Sequence, residues 1–325
     1  MVRETIGDFG EFRFLSRLIP RLTRGAGVVV GPGQDCAVVR AGNSRLLVTV
    51  DAVVEGVHFQ PRWISPRQLG RRSFLVNASD IAAMGGRPRW CVVSIGVPRG
   101  YSKQSLELIH RGIDQAAVEQ GAVIVGGNLT ASPRLSISIT LIAEAPRRIV
   151  TRQGAKPGDH VFVTGSLGDA ALGVRRLRRG AGGGHAVRRF REPCPRLTAG
   201  RLLVESGAVS AMIDVSDGLL QDLGHICDES GVGAEIDVSR LPLSSAYRRE
   251  CGKDASLALS GGEDYELLCT VPARKRAVFE KLRPRLRCPI TAIGKVTKGD
   301  RPLVVDPAGT LVDLTTPGYD HFSRG

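Results

Sequence analysis

The chain has 325 residues, enough for two average domains, and 42% of them are hydrophobic, which excludes wholesale disorder. Lys and Arg number 45 against 32 Asp and Glu, a formal charge of +13, and only 7 of the basic residues are Lys. Such a charge suits polyanionic partners: nucleic acid, an anionic membrane or phosphorylated small molecules. At 5% aromatic residues the chain is a poor match to base-stacking platforms for single strands.

The first ten residues, MVRETIGDFG, carry charges at Arg3, Glu4 and Asp8 and no apolar signal-peptide core. No uncharged apolar stretch reaches the roughly 18–20 residues that span a bilayer. The 7 cysteines are scattered and none forms a CxxC pair, so they read as small hydrophobes in a reducing compartment. A cytoplasmic protein without a membrane partner is expected.

Apolar β-branched runs predict strands over 46–51, 91–97, 122–125, 135–144, 161–164 and 266–271. Helical spacing covers 66–84, 103–120, 195–206, 217–230 and 273–286. Strands and helices alternating along the whole chain predict an α/β fold. Gly154, Pro157 and Gly158 punctuate residues 147–159 (RRIVTRQGAKPGD), so domains of 1–148 and 149–325 are expected. GAGGGH at 180–185 predicts a flexible loop within an Arg-rich stretch.

Against this basic background the acids gather in short motifs. IDVSDGL at 213–219 follows an apolar run and opens a helix, and it carries Asp214 and Asp217 around Ser216. Two readings of Asp217 are open, a ligand for a hard metal and a helix N-cap. Further acids stand in GPGQDCAV at 31–38 (Asp35), in Thr49-Val50-Asp51, in Asn77-Ala78-Ser79-Asp80, and in SGGEDYE at 260–266. Oxygen donors of this kind at strand ends suit Mg²⁺ bridging phosphates, whereas 6 dispersed histidines do not make a zinc site.

The chain has no GxxxxGK[ST], because Gly294-Lys295 is followed by Val296, and no GxGxxG after a strand. GSLG at 165–168 is open to two readings, a phosphate-binding helix start and a packing turn. Gly126-Gly127-Asn128 reads as a tight turn whose bare backbone could lie against a nucleotide. His58 alone reads as structural or solvated.

Taken in order, GQDCAVV, VDAVVEGVHF, VNASDIAAMGG, GGNLT, TRQGAKPGD, VTGSLGDAALG, IDVSDGL with DLGHI, SGGEDYELL, IGKV and GYDHF resemble the thiamine-monophosphate kinases of the aminoimidazole-ribonucleotide-synthetase-like superfamily. The resemblance covers nearly the whole chain. It implies two α/β domains, an N-terminal one that binds ATP and Mg²⁺ and pairs in a homodimer, and a C-terminal one that completes the active site. It also implies Mg²⁺-dependent transfer of the ATP γ-phosphoryl group to thiamine monophosphate, without a phosphoenzyme. Loose transition states of this kind need positioning and charge neutralisation more than a nucleophilic side chain.

Carried over by position, Asp35, Thr49, Val50 (through its carbonyl), Asp51, Asp80, Asn128, Asp214 and Asp217 match metal-binding positions, with Asp214 and Asp217 the catalytic pair. Gly127, Asn128, Arg152, Ser216 and His110 match nucleotide-contacting positions. His58, Glu263 and Tyr319 match the substrate region. The family pattern has an acid at Gln34, a hydroxyl at Val50, an Asp at Asn128 and an aromatic at Thr316. Those departures leave a weakened nucleotide-binding homologue, or another enzyme of the superfamily, as alternatives. Much of the +13 lies in 175–191 and 274–287, outside these motifs, and reads as a solvated face rather than a nucleic-acid surface.

Overall fold

The computed structural model describes residues 5–312 apart from Arg24 and Pro307. Helices α1 (Ile6–Phe9) and α2 (Glu11–Leu18) precede strands β1 (Val28–Val30), β2 (Ala37–Ala41) and β3 (Ser44–Val54). Next come α3 (Pro66–Ala83), β4 (Arg87–Val97), α4 (Lys103–Glu119), β5 (Val123–Ala131) and β6 (Ser136–Glu144). The second half runs β7 (His160–Thr164), α5 (Asp169–Arg178), α6 (His185–Arg191), α7 (Leu197–Ser206), β8 (Ala211–Val215) and α8 (Leu219–Ser230). It closes with β9 (Gly233–Asp237), α9 (Ser245–Cys251), α10 (Ser256–Ser260), β10 (Glu266–Val271), α11 (Arg276–Leu282), β11 (Ile290–Thr297) and β12 (Pro302–Val305).

Among the described residues the strands form two sheets, ordered β1-β2-β3-β6-β4-β5 and β12-β9-β11-β7-β10-β8. Both are antiparallel except for the β4–β5 and β12–β9 pairs. The expected mixed α/β class is therefore present, with each sheet drawn from one half of the chain.

Helix α3 joins the halves. A Ser65 capping box starts it, with the Ser65 hydroxyl and the Gln68 side chain satisfying each other's backbone N–H groups. Nearly all of it is buried, because it packs on β3, β6 and β4 on one side and on α7 and β8 on the other. Contact with α7 is close enough that a Cβ on Gly200 would lie 1.9 Å from the Ala82 carbonyl oxygen. Small residues around Ala82–Gly86 thus serve backbone-to-backbone packing.

Two sequence expectations change. Gly126-Gly127-Asn128 is no turn but the middle of β5, paired in parallel with Val92, Val93 and Ser94. Gly127 is required there because a Cβ would meet the Val93 carbonyl oxygen at 2.3 Å. The helix expected over 273–286 is confined to Arg276–Leu282 and flanked by 3₁₀ turns. Pro284 has no N–H to continue it.

Candidate active site

The acids converge where the two halves meet around the C-terminal turns of α3. Carboxylate oxygens of Asp35 (the β1–β2 turn), Asp80 (α3) and Asp214 (β8) all lie within 4.8 Å of one another. Each is held by a neighbour: the Thr49 hydroxyl donates to Asp80 at 2.6 Å, the Ser79 hydroxyl to Asp214 at 2.6 Å, and Arg152 to Asp35 at 2.7 Å. The second Asp35 oxygen is buried without a hydrogen-bond partner.

Burial first, and the neighbouring carboxylates after it, push the Asp214 carboxyl up to about 7. The same causes hold Asp80 well above the usual carboxylate range. Burial also raises Asp35, with Arg152 working against it. Three acids so placed cannot all ionise cheaply without an added cation. Hard oxygen donors, a short spread and an orphaned carboxylate oxygen fit Mg²⁺.

Asp80 lines two cavities. The larger, about 670 Å³, is walled by Asp51, His58, Arg72, Asp80, Ser216, Asp217, Glu263 and Tyr265, with Trp63 and Phe190 among its apolar side chains. The smaller, about 370 Å³, is lined by Gly33, Gln34, Asp35, Thr49, Val50, Asp80, Thr140 and Arg152. Asp35, Thr49, Val50, Asp51, Asp80, Arg152, Asp214, Ser216, Asp217, His58 and Glu263 are thus gathered at one junction.

Asp217 does not cap α8. Gly218 is the N-cap residue, and the Asp222 carboxylate reaches back to accept from the N–H groups of Ser216, Asp217 and Gly218 at 3.0, 3.2 and 3.1 Å. That leaves Asp217 facing the larger cavity. The GSLG turn resolves as packing: Asp264 accepts from Gly168 and Ala170 N–H at the start of α5, the place a phosphate would need. His58 accepts from the Val54 N–H through Nδ1 at 3.1 Å, a local turn bond that leaves it on the cavity wall.

Other expected residues stand apart. Cross-strand pairing sets Asp51, Ile139, Val93 and Gly127 in one row, and Ala52, Ser138, Ser94 and Asn128 in the next. Adjacent rows point to opposite faces, so Asn128 lies on the other side of the sheet from Asp51. Three strand spacings of about 4.8 Å also separate them, roughly 14 Å. His110 is exposed on α4, which crosses α3 at Gly70, about 15 Å of helix rise before Asp80. Tyr319 and Thr316 lie outside the described residues.

The Arg-rich stretch 175–191 is more than a solvated face. Arg175, Arg178 and Arg179 border the larger cavity, Arg189 binds Glu266 at 2.9 Å, and Arg191 donates to the Trp63 carbonyl at 2.6 Å. Glu266 is fully buried and also takes Arg196 and the Thr164 hydroxyl. The sequence reading missed Arg72, Asp222, Arg189 and Arg196. Asp222 alone left a local signal, an acid five residues after Asp217 in the first turn of a helix.

Residues 33–145 match the family model for the N-terminal domain of AIR synthase related proteins, and residues 156–306 that for the C-terminal domain. The thiamine-monophosphate kinase of Escherichia coli K12 is 35% identical over 325 residues, covering 97% of this chain and 98% of that one. The Bacillus subtilis enzyme of the same name is 33% identical over 323 residues, covering 96% and 99%. A solved structure, AaThiL complexed with AMPPCP and TMP, superposes with a TM-score of 0.86 at 31% identity, covering 99% of this chain and all of that one. With its two AIR-synthase-related halves closing on one carboxylate cluster, the chain belongs to the thiamine-monophosphate kinase family.

Proposed function

We infer that this chain is an ATP-dependent kinase that converts thiamine monophosphate to thiamine diphosphate, releasing ADP. The observation that carries the reading is the Asp35–Asp80–Asp214 cluster, assembled from both halves and lying between two cavities. In the reaction, a terminal phosphate oxygen of the acceptor attacks the γ-phosphorus while the bond to the β,γ-bridging oxygen of ATP breaks. Both reactants are anionic, and each brings negative charge to one point.

Asp35, Thr49, the Val50 carbonyl, Asp51, Asp80, Asp214 and Asp217 are the groups that would hold Mg²⁺. When bound, Mg²⁺ supplies the positive charge that lets the two phosphates approach. Arg152 and Ser216 face the nucleotide, and the larger cavity takes the acceptor beside His58 and Glu263. Residues 1–148 supply most of the cation site and the His58, Trp63 and Arg72 side of the acceptor cavity, and 149–325 supply Asp214, Asp217 and its Phe190, Glu263 and Tyr265 side.

A homodimer completes the arrangement. Strand β5 is an exposed edge, and Trp90, Val92, Val123, Val125 and Leu129 on it or on neighbouring β4 are 39% to 57% exposed, an unusual apolar area for a lone subunit. Pairing through this sheet lets Gly127, Asn128 and His110 of one copy serve the site of the other. The 7 cysteines are all free, which supports a cytoplasmic setting, and no described helix is long and apolar enough to cross a membrane.

The test is ATP-dependent formation of thiamine diphosphate and ADP in equal amounts as Mg²⁺ is varied. Nucleotide binding without any turnover, in the chain and in Asn128→Asp alike, overturns the kinase reading in favour of a binding homologue.

A further inference from the structure

Arg72 is a buried arginine in the wall of the larger cavity, and the phosphoryl-transfer chemistry alone does not call for it. It projects from α3 and is 1% exposed. Its guanidinium meets the second half of the chain: it pairs with the Glu263 carboxylate and donates to the Phe190 carbonyl. Its central carbon lies 4.4 Å from the Phe190 ring centroid and 6.0 Å from that of Tyr265.

The partner segment is strained. Glu263 has φ 77° and Tyr265 φ 53°, left-handed values that residues with a Cβ seldom adopt. Such backbone persists only where its surroundings over-determine it. Here the Glu263 N–H donates to the Ser216 carbonyl at 2.7 Å and the Tyr265 N–H to Val215 at 2.8 Å. Those bonds fix the backbone, while Arg72 fixes where the Glu263 carboxylate points.

A guanidinium suits this place because its edge can hold a carboxylate while its face lies on a ring and another N–H reaches a carbonyl. A lysine ammonium would keep the charge and lose the planar contacts.

We propose that Arg72 is a positioning residue for the acceptor: by pairing with Glu263 across the junction of the halves, it sets that carboxylate on the cavity wall as the counter-charge for the cationic ring of a phosphorylated organic cation. This rests on the reading that the larger cavity takes thiamine monophosphate, whose thiazolium ring carries a permanent positive charge. The aromatic walls, Trp63, Phe190 and Tyr265, suit the same cation.

A double-mutant cycle on the full chain tests it, read as KM and as calorimetric Kd for thiamine monophosphate. Arg72→Met and Glu263→Gln should each weaken acceptor binding about tenfold, with kcat and KM for ATP changed less than about twofold. Arg72→Lys should restore part of the loss. The double variant should be no worse than Glu263→Gln alone, because Arg72 acts through that carboxylate.

Effects that multiply to about a hundredfold in the double variant overturn the proposal, as does a loss in Arg72→Met shared equally by ATP. Where Arg72→Met does not fold, judged by its melting transition, the cycle of Arg72→Lys with Glu263→Gln decides. Wild type that binds thiamine monophosphate without turning it over defeats the kinase reading, and the cycle on Kd still judges Arg72. Unchanged acceptor binding in Glu263→Gln, beside active wild type, defeats only the role of this ion pair.

Discussion

The segments 213–222 and 260–266 each carry three acids close to glycine, and the fold spends them differently. In the first, Asp214 joins the carboxylate cluster and Asp217 faces the larger cavity, while Asp222 is consumed by three backbone N–H groups at the start of α8. In the second, Glu263 alone reaches the cavity. Asp264 is taken by the start of α5, and Glu266 by Arg189, Arg196 and Thr164. Asp222 and Asp264 are spent on backbone N–H groups at helix starts and Glu266 on two buried arginines, whereas Asp214, Asp217 and Glu263 stand at the cluster or on the cavity wall.

That contrast breaks first if the two kinds of acid respond alike. Asp217→Ala is expected to lower turnover by on the order of a thousandfold or more with an unchanged melting temperature. Asp222→Ala instead leaves three backbone N–H groups, that of Gly218 buried, without their acceptor and should cost about 1–3 kcal/mol of stability, with turnover retained below the melting transition. Kinetics and thermal melts of both variants check this.

A pH series of the metal-free protein sharpens it further. Asp214, pushed up to about 7, binds its proton more tightly folded than unfolded. The native state therefore holds more protons than the unfolded one between about pH 4 and pH 7, and stability falls as pH rises through that window. Melting temperature should decline from pH 5 to pH 8, and saturating Mg²⁺ should flatten the decline. A metal-free melting temperature that rises over that range contradicts the raised carboxyl.

Smaller effects are expected where the chain departs from the family pattern. Asn128→Asp adds a negative charge on β5 and should lower the Mg²⁺ concentration for half-maximal rate by a few fold. Smaller again is the triple change of Arg175, Arg178 and Arg179 to Gln. It should reduce kcat/KM for the anionic acceptor about twofold to threefold at low salt and blunt its dependence on ionic strength.

The fold class and the gathering of acids were legible in the sequence, because both rest on local signals: alternation, helical spacing and acids at strand ends. Strand 266–271 and the start of α3 are examples in which pattern and structure agree. Asn128 was not legible, since a Gly-Gly pair signals a turn locally, and only the Val93 carbonyl on neighbouring β4 explains the glycine within a strand. Arg72 and Glu266 were hidden for a similar reason. Their partners lie 191 and 70 to 102 positions away, set by how the halves close rather than by neighbours in sequence.

Gln34 shows how a departure is absorbed. Its amide accepts from the Arg152 N–H at 2.8 Å and donates to Glu229 at 3.4 Å, a two-way link that an aspartate could not make.

The most direct test concerns Asp80, the acid common to the cluster and to both cavities. Thiamine diphosphate formation against Mg²⁺ concentration, together with the metal-free melting temperature, should be measured for wild type and Asp80→Asn. Wild type should form product in proportion to Mg²⁺ occupancy. Asp80→Asn should form none and melt at or above the wild-type temperature, since a buried like charge has been removed. Wild-type turnover in Asp80→Asn, or no product from wild type at any Mg²⁺ concentration, would contradict a Mg²⁺ site held by this cluster.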